Sequence, residues 1–496
     1  MATPTRKATA DQSQLDIAGM NLGPEENEKD EAPPKVSLAR EKVIADAKAE
    51  IEADKLGRKA VSLVVIGHVD AGKSTLTGRL MYALGRVGDK EVAANERASE
   101  RMGKGSFSWA WQTDGTVEER ERGVTMDVAQ QTLQLPHRVI TILDAPGHRD
   151  FIPNMISGAA QADCALLVVD ASPGEFEAGF ARGGQTREHV LLVRSLGVTQ
   201  VIVAVNKLDV VEYDQSRYEE VCESLRAFLG TSGFAMGKAH FVPVAAMEGV
   251  GLGAEDEKTK KAMSWYQGPT LIDLLDQLKP PMRDVEAPLR MPIANVFKGT
   301  GSSTGVMGRI LSGVVQIGEK VRVLPGEETA VVKSIQSDEE NRSWAAAGAN
   351  VTLYLTAIDP IHLSVGFVVC PPTALVPLAT AFTARIIVFD IQVPILAGTS
   401  VELFVHSHDV PAAISKLTAT LDRATGAVVK QNPRVLTKGL SAEVQITVRA
   451  TSMSGPASRA EPVPLEPFSV NKEMGRVLVR RGGETIAAGI VLNVLN

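Results

Sequence analysis

The octapeptide Gly67-His68-Val69-Asp70-Ala71-Gly72-Lys73-Ser74 constrains this chain more than any other stretch of it. It fits G-x-x-x-x-G-K-[ST] and follows the apolar run Ser62 to Ile66, the strand that such a loop requires. Its glycines let backbone N–H groups turn inward around phosphate oxygens, and the helix that follows presents its positive end. Lys73 is placed to reach β and γ oxygens, and Ser74 offers a hydroxyl to Mg²⁺. The phosphate-contacting set is thus Gly67, His68, Val69, Asp70, Ala71, Gly72, Lys73, Ser74 and Thr75.

Between Val61 and Leu278 short Val/Ile/Leu runs (Ser62 to Ile66, Val139 to Leu143, Ala165 to Val169, Val201 to Val205) alternate with longer helical stretches. That pattern predicts an α/β domain with a mostly parallel sheet and helices on both faces. After Pro280-Pro281 the text changes to short β-branched segments parted by Gly, Pro, Asn and Asp, with a hairpin signal at Gly482-Gly483. Two antiparallel β-barrels are expected there, divided at Pro371-Pro372. The domain boundaries read as 1–59 for an acidic tail and connector, 60–281 for the nucleotide domain, 282–372 for the first barrel and 373–496 for the second. Residues 1–34 include the run Glu25 to Glu31, and they hold too few large apolar residues to offset chain entropy, so a disordered tail is expected. Ser37 to Lys59 is rich in Ala, Glu, Lys and Arg and reads as a solvated connecting helix.

Two further motifs sit at strand ends, where ligands of such sheets gather. Asp144-Ala145-Pro146-Gly147-His148 follows Val139 to Leu143; Asp144 can hold Mg²⁺ through water, and the Gly147 N–H can approach a γ-phosphate. Alone, D-x-x-G is an ordinary strand-to-turn junction, and the phosphate loop upstream gives it meaning. Asn206-Lys207-Leu208-Asp209 follows Val201 to Val205. The Asp209 carboxylate can accept from both the N1–H and the exocyclic amine of guanine, whereas adenine lacks that amine and turns an acceptor toward it. Discrimination on the order of 10⁴ follows where a buried polar group would face the wrong edge. The Lys207 stem can lie along the base, and Asn206 can tie this loop to the phosphate loop.

In this order and spacing the motifs resemble those of the translation GTPase family that includes elongation factor Tu, and the resemblance runs from about Val61 to Asn496. It implies that Glu121 to Asp127 is switch one, that Thr125 closes on Mg²⁺ in the GTP state, and that His148 orients the attacking water. It implies that Val69 and Val124 form the apolar gate that restrains His148 until the ribosome rearranges the loop. The guanine loop, Ser-Ala-Leu or Ser-Ala-Lys in the family, here reads Ala245-Ala246-Met247. Its backbone N–H groups can still meet the guanine oxygen, but the serine hydroxyl that stiffens the loop is absent.

Within the family the text is similar to the Hbs-type ribosome-rescue branch, whose partner is Pelota (Dom34). The similarity lies in Gly123 to Val128, Trp109-Ala110-Trp111, Asn432 to Lys438 and Thr485 to Val491. The segment before the nucleotide domain is shorter than the folded module that branch often carries. The function implied is GTP hydrolysis, stimulated by the ribosome, by a factor that delivers a Pelota-type protein to stalled ribosomes during messenger surveillance. The alternatives are a class-two termination factor working with a class-one release factor, an elongation factor carrying aminoacyl-tRNA, a scaffold that binds GTP without turnover, and the GTPase subunit of sulfate activation. A net charge of −7 counts against a whole-surface nucleic-acid binder while leaving local ribosomal RNA contacts open. A cytoplasmic monomer is expected, because the first ten residues are polar and the most apolar stretch, Thr373 to Gly398, is broken by Pro377, Arg385, Asp390 and Pro394.

Three other features have plain structural readings. Cys164, Cys222 and Cys370 lie too far apart in sequence for a metal motif. Gly183-Gly184-Gln185, a tripeptide also used to hydrolyse peptidyl-tRNA, reads here as a helix start. His406-Ser407-His408 would put two histidines on one strand face, but with no third ligand nearby a packed barrel pair is the better reading.

Overall fold

The computed structural model describes residues 36, 38–52, 56–101, 109–112, 119, 125, 128–181, 183–253, 257–299, 303–337, 340–423, 425–450 and 460–495. The acidic tail and most of switch one, Val124 included, fall outside the described residues.

The nucleotide domain is built on six strands: β1 (Lys59–Gly67), β2 (Ala129–Gln134), β3 (Arg138–Asp144), β4 (Cys164–Asp170), β5 (Gln200–Asn206) and β6 (Ala239–Pro243). Their order is β2-β3-β1-β4-β5-β6, parallel throughout except for β2. Each apolar run read from the sequence is one of these strands. Alternation along β1 divides the core: Val64 and Ile66 join the helices Ile152–Ala160, Gln185–Leu196 and Gln215–Thr231 on one face, while Leu63 and Val65 join Lys73–Ala83 and Leu271–Asp276 on the other. A strand buried on both faces reads as a continuous hydrophobic run. The switch in strand order beside β1 opens a crevice at the carboxyl ends of β1, β3, β4 and β5, and the three motifs meet there.

Two antiparallel barrels follow. In the first, six strands between Met291 and Cys370 form a closed ring, sealed by pairing of Lys320–Leu324 with Thr329–Ser337. In the second, six strands between Ala381 and Leu495 close through Thr399–Val405 against His408–Leu421. Gly482 and Gly483, with φ of 59° and 78°, make the two-residue hairpin turn that the sequence signalled.

Two local readings change. The helix Arg40–Glu52 is not fully solvated: Val43 and Ala47, one turn apart on one face, are wholly buried in the core of the first barrel. Leu38, Ile44 and Ile51 pack beside them, a narrow apolar stripe that the charged composition conceals. His406 and Ser407 form the two-residue turn between Thr399–Val405 and His408–Leu421 and do not share a strand face with His408; His406 is buried with Nε2 3.4 Å from the Pro464 carbonyl. No group of three or more His, Cys, Asp or Glu residues suited to a metal occurs among the described residues, and the three cysteines are buried and free. No described helix is long and apolar enough to cross a membrane.

Candidate functional site

A cavity of about 330 Å³ lies at the carboxyl ends of the parallel strands. Its floor is the loop between β1 and the helix Lys73–Ala83. Gly72 caps that helix at φ 87°, and a side chain there would collide with Asn206 Nδ2 at 2.5 Å. Lys73 Nζ donates to the carbonyls of Gly67 (3.2 Å) and His68 (2.8 Å), which folds the loop around its own ammonium. Burial lowers the Lys73 pKa to about 8, against the opposing pull of Asp144 and Asp70. A Cβ at Gly147 would fall 2.3 Å from Nζ and 3.2 Å from the carbonyls of Gly67 and His68, so glycine here gives the loop after β3 a close approach to this lysine. A polyanion placed here would meet a desolvated cation and a helix N-terminus together.

Hydroxyl and carboxylate oxygens gather beside it. Ser74 Oγ and Thr125 Oγ1 lie 3.0 Å apart on the cavity wall, and the fully buried Asp144 closes β3 behind them. An all-oxygen set of two hydroxyls and a carboxylate, next to a phosphate cradle, suits Mg²⁺. His148 stands on the open side, 44% exposed. Its Nδ1 accepts the Asp150 N–H at 3.3 Å, and the Asp150 carboxylate is 3.5 Å away. Val69 lines the same wall.

The far end of the cavity is formed by the N-K-x-D loop and the 245–250 turn. Asn206 Nδ2 donates to the Ala71 carbonyl (2.8 Å), and its Oδ1 accepts the Ala246 N–H (3.0 Å), so one buried amide ties the phosphate loop to the 245–250 turn. Lys207, at φ 61°, extends to Asp170 with Nζ–Oδ2 2.7 Å. Asp209 lies on the cavity wall, and burial raises its carboxyl pKa, assisted by the nearby Glu248. Ala246 and Met247 line the end, whereas Ala245 is fully buried behind them, bridged to Val250.

The structure therefore brings the three motifs to one cavity, with Gly67, His68, Ala71, Asp144 and Ala245 as supports behind its wall. Sequence reasoning missed four contributors. Ala110 and Val210 line the cavity. Gln185 opens its helix as expected, but its Oε1 also accepts the Val69 N–H at 3.2 Å. His189, one turn along that helix, is wholly buried near the loop, and burial first, then Lys73 and His68, lower its pKa to about 3. Nothing in the local text of these residues distinguishes them from ordinary helix and turn positions.

Comparison with known proteins agrees with this geometry. The elongation factor Tu GTP binding domain family matches residues 58–281, elongation factor Tu domain 2 matches 304–370, and the GTP-eEF1A C-terminal domain-like family matches 381–492. The chain is 42% identical to Protein HBS1 of Drosophila melanogaster over 92% of its length and 67% of that protein. It is 41% identical to elongation factor 1-alpha of Pyrobaculum aerophilum over 88% of its length and 96% of that protein. The Ski7 GTPase-like domain of S. cerevisiae, solved bound to GTP, superposes with a TM-score of 0.72 over 92% of this chain and 99% of that one; at 17% identity it shows the shared fold alone. The chain thus belongs to the elongation factor Tu and 1-alpha family of translation GTPases, with GTP or GDP and Mg²⁺ as its ligands.

Proposed function

We propose that this protein is a ribosome-stimulated GTPase of the rescue branch, which delivers a Pelota (Dom34)-type protein to stalled ribosomes in the cytoplasm. The observation that carries the branch is 42% identity to an HBS1 protein across nearly the whole three-domain chain. The switch-one text Gly-Val-Thr-Met-Asp-Val supports the same branch.

In this reading Lys73 and the loop amides bind the β and γ phosphates, while Ser74, Thr125 and Asp144 hold Mg²⁺. The ion, when bound, neutralises charge that develops on the phosphate oxygens. Asp209 and the turn 245–247 select guanine. His148 orients a water whose oxygen bonds to the γ-phosphorus as the bond to the β–γ bridging oxygen breaks, giving GDP and phosphate. Val69 and Val124 keep His148 from that water until the ribosome moves it. With no arginine finger in the described wall of the cavity, hydrolysis is slow until then. Hydrolysis loosens the partner.

The 41% identity to elongation factor 1-alpha supports a second reading, in which the cargo is aminoacyl-tRNA. A pull-down from cytosol with the protein held in a GTP analogue separates the readings. Pelota recovered with ribosomes supports rescue; aminoacyl-tRNA or a class-one release factor in its place moves the protein to elongation or termination.

A further inference from the structure

The turn that faces the base lacks the serine its relatives use, yet it is held from three sides. Asn206 takes the Ala246 N–H. Glu248, just beyond, is held twice: Tyr213 Oη donates to its carboxylate at 2.7 Å, and Arg79 Nη2 donates to its backbone carbonyl at 3.1 Å. Arg79 projects from the helix Lys73–Ala83, whose first residues form the phosphate site. Gly249, at φ +79°, admits the guanidinium closely, since a Cβ there would lie 2.8 Å from Nη2.

The other face of the same guanidinium is also engaged. Its Cζ sits 4.3 Å from the ring centroid of Trp109 and 5.7 Å from that of Tyr82, and the two rings meet edge to face at 5.3 Å. Trp109 is buried, and it precedes the short 3-10 turn Ala110–Gln112, whose first residue lines the nucleotide cavity. Arg79 thus touches the base-side turn with one edge and the approach to switch one with its face. A planar, permanently charged fork can do both at once; a lysine cannot.

We propose that Arg79 is a positioning residue that sets the 245–248 turn for reading the guanine oxygen and couples it, through Trp109, to the 109–112 segment ahead of switch one. The coupling rests on the assignment of that turn as the guanine-contacting loop. A charge-assisted hydrogen bond and a cation–π stack are lost together when the guanidinium goes, and the turn can then drift from the base.

The test uses the full chain and two nucleotides, GDP and 6-thioguanosine diphosphate. The analogue keeps the N1–H and the amine that Asp209 reads and replaces the oxygen that the turn reads by sulfur, a poorer hydrogen-bond acceptor. Arg79→Met should narrow the preference for GDP over the analogue by about tenfold, with Mg²⁺ dependence unchanged. Trp109→Leu should narrow it in the same direction, and the double variant should be no worse than Arg79→Met, because both changes break one chain of contacts. Arg79→Lys keeps a donor without the planar stack and should fall between; it carries the test if Arg79→Met does not fold. A general loss of structure would weaken both nucleotides equally and leave their ratio in place, and that result overturns the proposal. Strict additivity of the two variants removes the coupling to Trp109. If the unmodified protein itself shows no preference for GDP over the analogue, the turn does not read the oxygen, and the assignment beneath the proposal fails with it.

Discussion

Asp163 accepts both terminal nitrogens of Arg283, at 2.9 and 2.6 Å, in a fork that joins the nucleotide domain to the segment entering the first barrel. Arg309, on the barrel strand Thr304–Arg309, binds the same carboxylate, and the Ser62 N–H completes it at 3.0 Å. Burial alone would raise the Asp163 pKa; the two guanidinium groups outweigh it and hold the carboxyl below its usual range. The arrangement fixes the barrel against β1, the strand that ends in the phosphate loop.

Asp163→Ala removes the carboxylate that two buried guanidinium groups share. A loss of about 3–5 kcal/mol is expected, read as a lower urea midpoint at neutral pH. The pH dependence follows from the sign of the shift. A depressed folded-state pKa contributes stability that is fully present above the unfolded carboxyl value near ~3.9 and is lost as pH falls through the folded value. Asp163→Asn should therefore flatten the acid limb of the stability profile below about pH 4, and an unchanged acid limb would show that the cluster contributes no net stability.

Lys73 gives a second pH signature, of opposite origin. Its pKa is lowered to about 8 in the nucleotide-free protein because burial disfavours the ammonium. Bound phosphates restore that charge, so binding takes up a proton wherever the free lysine is neutral. GDP affinity should be level below about pH 7 and fall as pH rises through 8 and above. Calorimetry in buffers of different ionisation enthalpy at pH 8.5 should detect the proton uptake, which Lys73→Met should abolish.

Much of this was legible in the text because its signals are local. G-x-x-x-x-G-K-[ST], D-x-x-G and N-K-x-D each sit on a strand end; β1, β4 and β5 bury both faces over most of their length, and β3 does so toward its carboxyl end, so their apolar runs stand out. What stayed hidden is held across long sequence separations. Asp163 to Arg309 and Arg79 to Glu248 are pairs whose members look like ordinary surface residues in their own neighbourhoods. The face of the helix Arg40–Glu52 is harder to read for a related reason: Val43, Ala47 and Ile51, with Ile44 beside them, make a narrow stripe among charged residues, and only the barrel opposite makes it core.

That helix can be weighed directly. Its outer residues form ion pairs with the barrel and its approach, Arg40 with Glu319 at 2.9 Å and Lys48 with Glu286 at 2.5 Å, and solvent screens the exposed Lys48 pair. Burial of Val43 should dominate. Val43→Ala is expected to destabilise the barrel by about 1–3 kcal/mol, and Lys48→Ala far less. Chemical unfolding followed by Trp344 fluorescence, in a background with Trp109, Trp111 and Trp265 replaced by Phe, reads the transition next to the helix; equal effects of the two variants would mean that the packed face is not what holds it.

His148 supplies the sharpest division between binding and chemistry. It stands on the cavity wall with its Nδ1 engaged by Asp150, and it touches neither the phosphate loop's lysine nor the base-side turn in the described contacts. His148→Ala should therefore leave GTP affinity within about twofold while lowering ribosome-stimulated turnover by 10² or more, roughly the contribution of one positioned proton-handling group. Single-turnover hydrolysis of GTP with and without ribosomes separates the two quantities. Stimulated turnover that survives the substitution would move catalysis to another group. Weakened binding with normal turnover per bound nucleotide would make His148 a wall residue of the pocket. Loss of turnover at unchanged affinity is the outcome expected of a ring that lines the cavity with Gly147 and Thr125 but holds neither Lys73 nor the 245–247 turn among the described contacts.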